Sequence, residues 1–234
     1  MPRFEQFPSA EMADDDGLVL VGGELSPETV LEAYRQGIFP WPVEAEGRSI
    51  LAWWSPDPRA VMESNALRCS RRLLRRIRSE KYRVTCDQAF ERVMQGCAEP
   101  RDDEPGTWIT HEMLAVYGEL HRTGFAHSVE AWLDDRLVGG VYGIALGGFF
   151  AGESMFYRER DASKITLAYL IGHLLKQGYT LIDLQEINAH TRTMGATTIP
   201  RSRFLKRLAA ALNRPVQFGD QLSVDSSDIV ARFS

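Results

Sequence analysis

Apolar residues recur along this chain at two periods, and the switches between them predict its elements. A short apolar strand at 18–21 ends at Gly22-Gly23. Ser26-Pro27-Glu28 then supplies an N-cap, a first-turn proline and an acid, which opens a helix reaching about Gln36 and stopping at Gly37. The prolines of Ile38-Phe39-Pro40-Trp41-Pro42 and Trp53-Trp54-Ser55-Pro56-Asp57-Pro58 forbid a helix interior and predict rigid extended corners. Ser70 caps a helix at 71–78, in which Leu73, Leu74 and Ile77 share one face and Arg68, Arg71, Arg75 and Arg78 gather opposite. A strand at 82–86 and helices at 88–97 and 112–121 follow. Three strands come next, at 126–133, 136–145 and 149–156, turned by Asp134-Asp135 and Gly147-Gly148. A long helix at 162–176 ends at Gly178, the alternating segment 181–185 is a strand, and an amphipathic helix at 201–212 closes the series.

That order is an α+β layer architecture. A boundary near Asp57 divides it into a small N-terminal domain, 1–57, and a larger mixed-sheet domain, 58–234. The layout of the larger domain is close to that of acyl-transfer domains of the N-acetyltransferase (GNAT) type, a likeness of fold that leaves function open. The longest uncharged run, 137–152, holds six glycines and is too short for a membrane helix, so it is a strand pair and no membrane partner is expected. The first 16 residues carry five acids and no apolar core, so no leader is expected. Cys69, Cys86 and Cys97 are odd in number and lack CxxC spacing, which fits structural thiols in a reduced, cytoplasmic protein.

Charge changes the picture once it is divided. The formal total of −5 argues against a polyanionic partner. Yet residues 68–83 hold eight basic side chains and one acid, a local +7, so the remainder carries −12. Segregation of this kind marks a polyanion footprint, although a solvated helix face has the same pattern. Three of the five tryptophans fall within 41–54. They suit a small core, and a loop tryptophan beside proline is also a platform for a base.

Most catalytic signatures are missing: GxxxxGK[ST], GxSxG and HExxH do not occur, and the five histidines have no ligand spacing. No cofactor and no metal are expected. A coenzyme A enzyme of this layout needs a glycine-rich turn before its central helix. Here that turn is Tyr157-Arg158-Glu159-Arg160-Asp161-Ala162, without glycine. What remains is a polar trio within apolar strands: Glu153, and Asp183 with Gln185, which alternation places on one face of their strand. Such groups are often strand-end polar residues satisfied by backbone. Aimed at a cleft, they suit amine chemistry, a carboxylate holding an ammonium and an amide orienting an attacking amine.

The ordered blocks of the chain resemble those of the leucyl/phenylalanyl-tRNA–protein transferase family over nearly its whole length. They include Gly22-Gly23-Glu24-Leu25-Ser26-Pro27, Tyr34-Arg35-Gln36-Gly37-Ile38-Phe39-Pro40-Trp41 and Trp53-Trp54-Ser55-Pro56-Asp57-Pro58-Arg59. Further along stand Gly106-Thr107-Trp108-Ile109-Thr110, Gly152-Glu153-Ser154-Met155-Phe156 and Ile182-Asp183-Leu184-Gln185. The resemblance implies an enzyme that moves Leu or Phe, with Met as a further candidate donor, from charged tRNA to the N-terminal amine of proteins beginning with Arg or Lys, creating a degradation signal. It also implies Asp183 and Gln185 as the catalytic pair, Glu153 at the aminoacyl α-amino group, and Trp41 and Trp108 at the terminal adenosine. Val141, Phe150, Met155, Leu167 and Ile182 fall where the family forms its side-chain pocket, and Arg71, Arg75 and Arg78 on its tRNA-contacting helix. The family commonly has Cys where this chain has Leu184 and Met where it has Val141. The segment after Arg214 matches none of its blocks. A noncatalytic tRNA-binding protein on the same scaffold and a coenzyme A-dependent acetyltransferase are the competing readings.

Overall fold

A computed structural model describes residues 7–45, 47–100 and 108–234. Part of the loop expected at 99–104, together with Gly106 and Thr107, lies outside the described residues. In chain order the first elements are β1 (Leu18–Val21), α1 (Pro27–Arg35), β2 (Phe39–Pro40), β3 (Val43–Ala45), β4 (Arg48–Ile50), β5 (Ala52–Trp54) and β6 (Arg59–Met62). Then come α2 (Arg71–Arg78), β7 (Arg83–Cys86), α3 (Phe90–Ala98), α4 (His111–Arg122), β8 (Ala126–Leu133), β9 (Arg136–Leu146) and β10 (Phe149–Tyr157). The last are α5 (Ala162–Gln177), β11 (Leu181–Gln185), α6 (Ala189–Thr193), β12 (Thr197–Ile199), α7 (Arg201–Leu212) and α8 (Ser226–Phe233).

Local chemistry sets the boundaries much as expected. Ser26 and Ser70 accept the backbone N–H groups of Thr29 and Leu73 and so cap α1 and α2. Gly178 ends α5 in the left-handed conformation. Two expectations are corrected. The helix at 201–212 is not the last, because Asp225 caps α8 through a reciprocal box with Asp228. The prolines and tryptophans of 38–62 build strands as well as corners, since β1, β5 and β2 form a three-stranded sheet and β6 enters the main one.

The main sheet has seven strands in the order β12-β6-β11-β10-β9-β8-β7. β10 and β11 run parallel and the other neighbours antiparallel. Alternation along the strands divides the core in two. Tyr142, Phe149, Ala151 and Leu181 join the side that holds α1, α3, α4, α7 and the small sheet with Trp53. Val141, Phe150 and Ile182 join the side that holds α5, with α2 and α8 beyond it. This is a mixed α+β fold with helices on both faces of a mixed sheet.

β9 and β10 approach closely enough to require glycine. A Cβ on Gly143 would stand 2.1 Å from the Ala151 carbonyl oxygen and 2.5 Å from the Phe150 ring. Both neighbours are fixed in the core, so Gly143→Ala forces the strands apart at the position just before β10 changes register. The substitution should cost about 3 kcal/mol and lower Tm by about 10 °C in a thermal melt.

Candidate functional site

The register of the central strands creates the site. Pairing of β10 with β11 covers only Phe149↔Leu181, Phe150↔Ile182 and Ala151↔Asp183, after which the strands part. Each strand carries a bulge at that point. On β10 the register passes from Gly152↔Gly143 to Ser154↔Tyr142, leaving Glu153 as the extra residue. On β11 it passes from Asp183↔Val61 to Gln185↔Ala60, leaving Leu184 extra. A bulge re-aims side chains and disrupts the ladder, and here two sit side by side where β10 and β11 part.

At this parting the described residues form a continuous polar cluster. Asp183 and Arg59 are both fully buried. Their pairing is bidentate, with Arg59 Nε donating to Asp183 Oδ1 at 2.8 Å and Nη2 to Oδ2 at 2.7 Å. Asp183 Oδ1 also accepts the backbone N–H of Gln185 at 2.9 Å. Gln185 is held with φ of 61°, a left-handed conformation costly for a residue with a side chain. Its Nε2 donates to Glu153 Oε1 at 3.2 Å. Glu153 further accepts the Tyr34 hydroxyl on Oε1 and the Tyr117 hydroxyl on Oε2, the latter at 3.2 Å. Alternation predicts Asp183 and Gln185 on one face, and it holds: Ile182 and Leu184 pack on the α5 side, while Asp183 and Gln185 meet Arg59 and Glu153 on the other. The bulge at Leu184 adds the backbone hydrogen bond that joins the two residues.

Burial dominates the electrostatics. It pushes the Glu153 carboxyl up to about 7. The two tyrosine hydrogen bonds and the Arg59 charge oppose that rise, and the Asp183 charge adds to it. Tyr34 and Tyr117 rise well above the usual phenol value, first through burial and then through the charge of Glu153. Both therefore remain hydrogen-bond donors at neutral pH.

The remaining sequence-derived residues fall into three places. Trp41 and Trp108 stack with ring centroids 4.5 Å apart and planes at 19°. Trp41 is 40% exposed. Val141, Phe150, Leu167 and Ile182 are buried in the α5-side core with Met155 packed against them, so the five form one apolar cluster on the other face of the sheet from Glu153. The parting of β10 and β11 lies between that cluster and the polar one. Arg71, Arg75 and Arg78 are exposed on α2, while Leu73, Leu74 and Ile77 are buried. Arg76 turns inward, donating to the Arg160 carbonyl at 2.9 Å and standing 3.5 Å from Asp161.

Histidines stay outside this site. His173 bonds Ser223 and the Phe218 carbonyl, and His127 stands 2.7 Å from Asp87. Hollows of about 590 and 510 Å³ lie elsewhere, one along β7 with Tyr169 and Asp220, the other at Gln177 and Val216. No group of three or more His, Cys, Asp or Glu side chains able to hold a metal ion occurs among the described residues.

Sequence reasoning passed over Tyr34, Tyr117 and Arg59. Tyr117 lies on the apolar face of α4 with Met113, Val116 and Leu120, where its ring reads as core. A signal was present, because a buried phenol needs a partner. Arg59 is a cation opening the apolar run Ala60-Val61-Met62, and such a charge requires an acid inside the fold.

Comparison with known proteins places the chain in a family. The profile described as Leucyl/phenylalanyl-tRNA protein transferase matches residues 61–209, and that of the N-terminal domain of the same transferase matches 23–57. A leucyl/phenylalanyl-tRNA–protein transferase of Shewanella baltica is 47% identical over 92% of this chain and 90% of its own. Those of Magnetococcus marinus and Nitrosomonas europaea are 50% and 52% identical, over 91% of both chains and over 86% and 85% respectively. Among solved structures, that of L-PGS from Bacillus licheniformis aligns over 69% of this chain and 51% of its own. The TM-score is 0.36 at 13% identity, too slight a likeness to argue from.

Proposed function

Because this chain belongs to the leucyl/phenylalanyl-tRNA protein transferase family and is an aminoacyltransferase, we propose that the cluster at the parting of β10 and β11 joins an aminoacyl ester to a protein's N-terminal amine. The donor is Leu or Phe on tRNA, and the acceptors begin with Arg or Lys. The observation that carries this reading is the chain of contacts Arg59–Asp183–Gln185–Glu153, which sets an anchored amide beside a carboxylate.

Each group has a task in that reaction. The ester is already activated, so the step forms an N–C bond, breaks the ester C–O bond and returns a proton to the terminal ribose oxygen. Glu153 holds the α-ammonium of the donor, with Tyr34 and Tyr117 fixing the carboxylate. Gln185 spends an amide N–H on Glu153, which leaves its amide oxygen to orient the acceptor amine. Asp183 is not the base, because Arg59 and the Gln185 N–H engage its oxygens. It acts through the Gln185 backbone, holding the left-handed turn. Trp41 presents its exposed ring to the terminal adenine with Trp108 behind it, and Val141, Phe150, Met155, Leu167 and Ile182 receive the donor side chain on the α5 side of the parting of β10 and β11.

The division near residue 57 gives each part a role, with residues 1–57 supplying Trp41 and Tyr34 and residues 58–234, as an acetyltransferase-like catalytic domain, supplying the acids. The coenzyme A reading is disfavoured by the N-terminus of α5, where Asp161, with Arg76 beside it, stands in place of a glycine-rich phosphate cradle. The protein works in the cytoplasm, where charged tRNA is found. No helix among the described residues is long and apolar enough to cross a membrane.

A competition assay tests the reading. Labelled Leu-, Phe- and Met-tRNA are offered with peptides that differ only in their first residue. Leu and Phe should transfer to peptides starting with Arg or Lys, and an absence of transfer from all three donors sinks the proposal. The basic helix makes a separate prediction. Replacing Arg71, Arg75 and Arg78 together with Gln should raise KM for charged tRNA while leaving kcat at saturation within about twofold. It should also flatten the log–log salt dependence of tRNA binding by about 2 to 3.

A further inference from the structure

Arg59 fastens more than one partner. Its Nε and Nη2 hold Asp183, and its Nη1 donates to the Gly37 carbonyl at 3.1 Å. Gly37 closes the end of α1, donating its own N–H to the carbonyl of Tyr34, the residue whose hydroxyl meets Glu153. The guanidinium lies between two rings, 4.7 Å from the centre of Phe39 and 4.6 Å from that of Phe204. Phe39 belongs to β2, which leads directly into Trp41, and Phe204 belongs to α7. One buried planar cation thus touches the turn that follows Tyr34, the strand before Trp41 and the acid that anchors Gln185.

We propose that Arg59 is a positioning residue for the transfer step, locking the donor-side residues of the N-terminal segment in register with the Asp183–Gln185 turn. The inference rests on the reading of Asp183, Gln185 and Glu153 given above. A planar fork with donors on three nitrogens and two stackable faces is needed, and lysine offers a single point charge with neither. Arg59 touches neither substrate in this arrangement, so its effect reaches chemistry through Asp183 and through the end of α1.

The same cation belongs to the charge set around Glu153. The groups facing Glu153 are Tyr34 from α1, Tyr117 from α4, Tyr142 from β9, Asp183 and Gln185 from β11 and, through Asp183, Arg59 from β6. The Arg59 charge opposes the rise of the Glu153 carboxyl and the Asp183 charge adds to it, so weakening the Arg59–Asp183 contact leaves Glu153 less compensated and moves its proton uptake to higher pH.

The test compares wild type with Arg59→Lys and with the milder Phe204→Leu, which keeps the ion pair and removes one ring face. Steady-state transfer and a carbon-13 NMR titration of the Glu153 carboxyl are measured on each. For Arg59→Lys, kcat should fall at least 30-fold with KM for charged tRNA within twofold. The acid limb of kcat and the Glu153 titration should both move up by about one pH unit. Phe204→Leu should lower kcat at least threefold with the same KM pattern, which keeps the inference testable if the lysine variant does not fold. An unmoved Glu153 titration in folded Arg59→Lys overturns the inference whether or not the protein transfers amino acids. So does a full kcat in either folded variant. A wild-type protein that transfers nothing, with the Glu153 titration still responding to Arg59→Lys, refutes the transferase reading and the transfer role while confirming the coupling.

Discussion

Asp183→Ala should lower kcat about 1,000-fold and cost about 3–5 kcal/mol of folding stability, the larger structural effect expected of any single change at the site. Two losses combine. Arg59, fully buried, would keep its charge with no anion beside it, which is the costly way to break a buried pair. Gln185 would also lose the carboxylate that accepts its backbone N–H and sustains its left-handed turn. Asp183→Asn retains the shape and can still accept the Gln185 N–H, so it should fold better than the alanine variant while remaining strongly impaired in kcat. Denaturant melts and steady-state rates on both variants check this. Equal activity in Asp183→Asn and wild type would remove Asp183 from the mechanism.

Glu153→Gln should abolish most transfer, lowering kcat/KM about 100-fold, while making the protein no less stable at pH 8. The direction follows from the raised carboxyl. Its value when folded is about 7, against about 4.3 for an unperturbed glutamate, so between those values the folded chain binds more protons than the unfolded one. Stability therefore declines as pH rises from about 4.5 to 7, and above 7 the buried anion carries a penalty of about 3 kcal/mol. A glutamine has no such titration. Its amide oxygen keeps a tyrosine hydrogen bond, and the variant's melting temperature should be flatter across that range than the wild type's. If the two proteins show the same pH dependence of Tm, Glu153 does not titrate there.

How far the chain could be read in advance depended on the kind of information each element needs. α2, β11 and the three long strands were legible because capping residues, turns and periodicity are local, and Ser70, Gly178 and Asp134-Asp135 mark them directly. β6 and β12 were not, because a strand of three or four residues owes its existence to the neighbours it pairs with. The trio Glu153, Asp183 and Gln185 stood out as polar groups within apolar strands. Their arrangement did not, since bulges at Glu153 and Leu184 follow from interstrand register, which a single strand does not encode. Tyr34, Tyr117 and Arg59 were hidden by their own burial. On the sequence each is an aromatic or basic residue among core positions, and only the fold shows that their polar ends converge.

Separation of charge has a structural counterpart. Part of the +7 of residues 68–83 is displayed on α2 through the exposed Arg71, Arg72, Arg75 and Arg78, whereas Arg76 is turned inward to Arg160 and Asp161. One arginine of the helix therefore fastens it to the start of α5, and the outward ones remain available to phosphates.

The most direct measurement is mass spectrometry of a peptide beginning with Arg after incubation with the purified protein and leucyl-tRNA, with no nucleotide or coenzyme A added. The account predicts a gain of one leucine residue at the peptide's α-amine, absent with Glu153→Gln and Asp183→Ala. An unmodified peptide in the presence of intact leucyl-tRNA and folded protein would contradict it.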